Sequence, residues 1–106
     1  MGKMGCFMRI ISRAALRKFW VLKAYRDSEQ PLKSWFDEAK STTWKRPADI
    51  KAMYRNASFV ANNRVVFNIH GNKYRLIVAI KYPLGICYIR FIGTHKQYDD
   101  IDAENI

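Results

Sequence analysis

Residues 64–94, "RVVFNIHGNKYRLIVAIKYPLGICYIRFIGT", decide the fold. The period of about 3.6 seen upstream changes here to a period of two, the pattern of strands with one face more apolar than the other. Three strands are expected, over residues 64–69, 74–81 and 86–93, with Gly71-Asn72 as the first turn and Pro83-Leu84-Gly85 as the second. A two-residue turn at Gly71-Asn72 pairs His70 with Lys73, Ile69 with Tyr74, Asn68 with Arg75 and Phe67 with Leu76. A connection over residues 82–85 pairs Lys81 with Ile86, Ala79 with Tyr88 and Ile77 with Arg90. One face then collects Val65, Phe67, Ile69, Tyr74, Leu76, Val78, Ile80, Cys87, Ile89 and Phe91. The other collects Arg64, Val66, Asn68, Arg75, Ile77, Ala79, Tyr88, Arg90 and Ile92, and is expected to be basic, aromatic-bearing and open.

The apolar face needs a cover, and the upstream sequence supplies one. A helix is expected from Arg13 to about Tyr25, where Ala15, Leu16, Phe19, Trp20 and Leu22 make one broad stripe. After Ser28, Leu32, Trp35, Phe36 and Ala39 follow an i, i+3, i+4, i+7 pattern, with Pro31 tolerated in the first turn. A short third helix starts near Pro47 and turns Ile50, Met53 and Tyr54 inward. Brief strands are expected at residues 8–11 and 59–61, with Asn62-Asn63 as a turn and a polar tail closing in a short helical turn. The expectation is an α+β domain: an N-terminal strand and two to three helices packed on one face of an antiparallel sheet.

A chain of 106 residues suits a single domain, expected over residues 8–106 behind a flexible leader at 1–7. No apolar run approaches the roughly 20 residues that cross a bilayer, which excludes an integral membrane protein built on helices. The opening "MGKMGCF" lacks the long apolar segment of a secretory signal, so a cytoplasmic address is expected and Cys6 is read as an idle thiol. Nineteen Lys and Arg against nine Asp and Glu leave a net charge of +10. The bases are segregated: residues 59–98 hold six and not one acid. Such a field concentrates polyanions, among them nucleic acid and acidic proteins.

The expected open face therefore invites a negatively charged ligand. The guanidinium groups of Arg64, Arg75 and Arg90 can fork onto phosphate oxygens, and Tyr88 offers a ring on which a base can stack. An ordinary solvated sheet face is also polar, but it usually mixes both signs. Where the last strand ends, "GTHKQYD" brings His95, Lys96 and Tyr98 to the mouth of this face, and both His and Tyr can move protons. His70 reads as a turn residue. No metal site, phosphate loop, dinucleotide fingerprint or serine nucleophile motif is found, and no cofactor is expected.

Residues 44–82, "WKRPADIKAMYRNASFVANNRVVFNIHGNKYRLIVAIKY", followed by "CYIRFIGTHKQYD" at 87–99, closely resemble HigB toxins of type II toxin–antitoxin systems, within the RelE/ParE-like superfamily. The resemblance runs from Met8 to about Asp102. It implies a small sheet with helices on one side, and an endoribonuclease that cleaves messenger RNA, commonly on the translating ribosome. It also implies a HigA-type partner, an antitoxin with a helix-turn-helix domain. Carried over by motif, it implicates Arg75, His95 and Tyr98 in catalysis, with Arg64 and Lys73 on phosphates. Asn68, Tyr88, Arg90 and Lys96 complete the expected RNA contacts. Relatives often use Lys and Arg with a Tyr, whereas His95 stands near that place here, so the general base stays open between His95 and Tyr98.

Two other readings share the same residues. ParE-like relatives have this fold and poison DNA gyrase through protein contacts, and a plain RNA-binding module would use the arginine face without cutting.

Overall fold

The computed structural model describes residues 7–106. Cys6 and most of the expected leader lie outside the described residues.

Strand β1 (Arg9–Ile11) leads into helix α1 (Arg13–Trp20), a 3-10 segment (Lys23–Ser28), helix α2 (Glu29–Lys40) and helix α3 (Pro47–Met53). The meander follows as β2 (Ser58–Val60), β3 (Arg64–Ile69), β4 (Tyr74–Lys81) and β5 (Ile86–Thr94), and helix α4 (His95–Asp99) comes next. The five strands form one sheet in the order β1-β5-β4-β3-β2. The class is the α+β one expected, but the sheet is mixed, because β1 pairs parallel to β5. Helices separate β1 from the meander, so it joins by a crossover rather than a hairpin. Both edge strands are only three residues long, which leaves little free edge for another chain to pair with.

The register of β3 on β4 is the one read from the turn: Phe67 faces Leu76, Asn68 faces Arg75 and Ile69 faces Tyr74. The turn residues His70 and Gly71 both take positive φ, 55° and 65°. Lys81 faces Ile86 and Ala79 faces Tyr88, again as expected, but the expected pair of Ile77 with Arg90 does not form. A bulge intervenes, and Ile77 faces Phe91 instead. The extra residue swaps the faces beyond it, since side-chain direction has a period of two. Phe91 consequently joins Arg75 and Ile77, while Ile92 falls opposite Leu76 and packs against the core.

The core lies between the helices and the first face of the sheet. Leu16, Phe19, Trp20, Leu32, Trp35, Ala39, Trp44 and Ile50 meet Val65, Phe67, Ile69, Tyr74, Leu76, Val78, Ile80 and Cys87. Phe67 is the aromatic hub: Trp35, Trp44 and Tyr54 have ring centroids 5.3, 6.0 and 5.1 Å from its own. Such pairs are worth roughly 0.5–1.5 kcal/mol each beyond their burial. Met53, expected to face inward, is largely exposed, although its sulfur accepts the Trp44 indole N–H at 3.3 Å.

The first helix is shorter than its stripe suggests, because Leu22 adopts an extended backbone. Tyr25 then stacks parallel on Phe19 at 4.3 Å, and both rings meet Tyr74 edge-on. In one unbroken helix, side chains six residues apart would point about 120° from each other. The break is what brings these two rings together, and it leaves Leu22 in solvent.

Candidate functional site

At one end of the sheet, three segments meet. Asn68 on β3, Arg75 on β4 and Gly93 on β5 share a row, and the last strand leads directly into α4. A reciprocal cap fixes the start of this helix. Thr94 Oγ1 accepts the Gln97 N–H at 3.1 Å, and Gln97 Oε1 accepts the Thr94 N–H at 2.8 Å. The His95 N–H donates to the Lys73 carbonyl at 3.2 Å, which ties α4 to the β3–β4 turn. Gln97 also reaches the Tyr25 hydroxyl at 3.4 Å.

Gly93 makes this close approach possible. A Cβ there would lie 2.6 Å from both Phe91 Cζ and Gln97 Oε1. The missing side chain lets the cap and the Phe91 ring sit against the strand.

So anchored, α4 presents Tyr98 to the sheet. The Arg75 guanidinium lies over the Tyr98 ring, 5.8 Å from its centroid, and Arg75 Nη1 donates to the Asn72 carbonyl at 3.1 Å. His95 begins the same helix three residues before Tyr98, and residues at that spacing are surface neighbours. Its Nδ1 lies 3.4 Å from Asp99 Oδ2. Half-exposed His95, half-buried Tyr98 and half-buried Arg75 thus gather at one strand end. Asn68 and Lys96 flank the group and are exposed. Among the described residues, no acid is ion-paired with Arg64, Arg75 or Arg90.

The remaining expected contacts are placed differently. Lys73 is ion-paired with Asp27, which also accepts the Tyr74 hydroxyl and lies 3.7 Å from His70 Nε2. Hydrogen bonds from Lys73 and Tyr74 hold the Asp27 carboxyl below its ordinary pKa. Burial, and then the bond to Asp27, push the Tyr74 phenol up to about 12. Lys73 is therefore committed first to fastening the 3-10 segment onto the sheet.

Arg64 and Tyr88 occupy the opposite end of the face, on either side of Ala79, and Arg90 sits at the bulge. Four residues of β3 separate Arg64 from the Asn68–Arg75 row, about 13 Å along the strand. The three arginines share a face but form two groups, Arg75 at one end and Arg64 with Arg90 toward the other.

The second face is also less open than expected. Val66, Ile77 and Ala79 are buried there, outside the helix-covered cluster. The tail returns to it from α4, where its Glu104 and Ile106 oxygens meet Asn62, Arg64 and Arg90, and Ile101, Ala103 and Ile106 are half-buried. Sequence reading gave the tail no such role, because its alternating Ile and Ala are sparse among acids.

Asp99 was missed too, although it is four residues from His95 on a helical turn. Among the described residues, no group of three or more His, Cys, Asp or Glu is arranged to hold a metal ion.

A sheet with helices on one side and a basic strand end on the other is the architecture of a RelE-like toxin. Residues 28–101 match the family model described as HigB_toxin, RelE-like toxic component of a toxin-antitoxin system, and the chain belongs to that family. Over 99 residues it is 27% identical to the mRNA interferase toxin HigB of Escherichia coli (strain K12), covering 91% of this chain and 92% of that relative. The mRNA interferases HigB of Escherichia coli O157:H7 and Shigella flexneri match to the same extent.

Proposed function

We propose that this toxin is an endoribonuclease that cuts messenger RNA at the α4 end of the sheet, without a metal ion. The observation that carries the reading is the Arg75 guanidinium against Tyr98, with His95 on the same turn of helix. A ribose 2′-oxygen attacks the adjacent phosphorus, the P–O5′ bond breaks, and the products are a cyclic 2′,3′-phosphate and a free 5′-hydroxyl. His95 and Tyr98 divide the two proton transfers: one takes the 2′-hydroxyl proton, the other supplies a proton to the departing 5′-oxygen. Arg75 balances the extra negative charge on the phosphorane. Positioned acid–base groups typically supply about 10²–10⁴ each, and a preorganised donor a comparable factor.

Asn68 and Lys96 flank the reacting phosphate, with Arg64, Arg90 and Tyr88 further along the strand. Lys73 reaches RNA only by sharing its charge with Asp27. An exposed site of this kind gains most when a larger partner orients the substrate, which favours messenger RNA held on the translating ribosome in the cytoplasm. Silencing falls to a HigA-type antitoxin with a helix-turn-helix domain, and the net charge of +10 suits an acidic partner surface.

Mapping transcript 5′ ends after induction tests the reading. Discrete new ends are expected with the wild-type chain and none with the His95→Ala/Tyr98→Phe double variant. Intact transcripts with damaged DNA topology would instead identify a gyrase poison.

A further inference from the structure

Beyond α4 the chain makes a second turn and returns across the sheet. Asp102 Oδ1 accepts the Glu104 N–H at 3.1 Å, and the Asp102 carbonyl accepts the N–H groups of Asn105 and Ile106, both at 3.1 Å. This turn lowers two main-chain oxygens onto the far end of the face. The Glu104 oxygen accepts from Asn62 Nδ2 at 2.9 Å. The Ile106 oxygen accepts from Arg64 Nη2 at 2.6 Å and from Arg90 Nε at 3.3 Å. Two guanidinium groups from different strands therefore converge on one oxygen.

That oxygen satisfies the pair incompletely. Arg64 Nε is buried and has no hydrogen-bond partner. Nε and Nη2 form one edge of the guanidinium fork, and a phosphate can engage both through two of its oxygens. Here the Ile106 oxygen engages Nη2 and leaves Nε without a partner. The place is thus shaped for an oxyanion and occupied by the chain itself.

We propose that Arg64 and Arg90 form a second phosphate-binding site for the RNA strand, and that residues 102–106 are a strap lying in it which a backbone phosphate displaces. The inference rests on the RNA-cleaving reading and adds a loading step to it. At about 13 Å from the Asn68–Arg75 row, the pair would hold a different phosphate of the same strand. Loading would uncover Val66 and Ile77, which lie between the two groups, and Ala79 beside Arg64. RNA that contacts only Arg75 would leave the strap in place.

The test uses a fluorescent single-stranded 2′-deoxy oligonucleotide, which binds as an RNA strand does through its phosphates but lacks the attacking hydroxyl. Hydrogen exchange at the Glu104, Asn105 and Ile106 amides of the wild-type chain is expected to speed up when it binds. Asn62→Gly removes the anchor for the Glu104 oxygen, and glycine tolerates the positive φ of 64° there. Losing one hydrogen bond from the strap should tighten oligonucleotide binding by about twofold to tenfold. Arg64→Ala should weaken it. Slower or unchanged exchange at 104–106 in the bound state, with Asn62→Gly binding as wild type, would overturn the strap while leaving the cutting site intact. Binding indifferent to both Arg64→Ala and Arg75→Ala would overturn the RNA face itself.

Discussion

The Arg75 guanidinium lies over the Tyr98 ring at 5.8 Å, joining the start of β4 to the helix that follows β5. The contact exists because a glycine and a capping box hold α4 against the strand end. It places a fixed cation beside a group able to exchange a proton, and the consequences can be measured.

Arg75→Ala should lower the cleavage rate by about 10²–10³, with the chain still folded and bound to its antitoxin. Arg75→Lys should recover only part of the loss, since an ammonium keeps the charge but not the planar fork. Single-turnover rates on ribosome-bound messenger RNA check this, and full activity in Arg75→Ala would remove it from the reaction.

Gly93→Ala should displace Phe91 or Gln97, since the new Cβ would lie 2.6 Å from each. A shift of α4 by about 1 Å can cost on the order of 10² in rate. Activity should therefore fall far more than stability does. The Tyr98 ring resonances should move as well; a variant with wild-type cleavage and unmoved Tyr98 signals would show that the glycine does not position the helix.

Phe67→Ala removes the ring on which Trp35, Trp44 and Tyr54 converge. Urea unfolding should report a loss of about 3–5 kcal/mol. A loss under 1 kcal/mol would mean that the aromatic group repacks without it.

Stability should depend on pH at both extremes through the Tyr74–Asp27 pair. Tyr74 titrates near 12 in the folded chain against an ordinary 10.0, so the folded state holds its proton more tightly. Stability is then fully present below pH 10 and is lost as pH rises from 10 through 12. Asp27 is shifted the other way: its contribution is present above the ordinary carboxylate range and is lost as pH falls through its lowered value. Denaturation midpoints for the wild type and Tyr74→Phe between pH 9 and 12 should separate most at the lower end; parallel curves would dismiss the link.

Much of this was legible in the residues. The bounds of β3 and β4 and their register follow from two apolar-rich strand runs joined by the Gly71-Asn72 turn. Alternation cannot reveal a bulge, however, because Arg90, Phe91 and Ile92 fit either register on their own. The α1 stripe continued through Leu22, and only the packing of Phe19, Tyr25 and Tyr74 ended it. Arg75, His95 and Tyr98 stand out from the basic face and the GTHKQYD segment, and the family resemblance assigns them catalysis, yet their meeting depends on α4, whose start is marked by the Thr94-x-x-Gln97 capping-box spacing. The covering of Arg64 and Arg90 by the tail left no comparable mark, since a polar segment that folds back looks like one that does not.

The central claim is that a 2′-oxygen attacks while groups of this chain alone move the protons. Analysis of the cut ends tests it most directly, using messenger RNA carrying a single 2′-deoxy substitution at the mapped cleavage position beside unmodified RNA. The expected result is a 5′-hydroxyl and a cyclic phosphate from the unmodified strand, and no cut at the substituted one. Cleavage of the 2′-deoxy strand, or 5′-phosphate ends, would contradict the account.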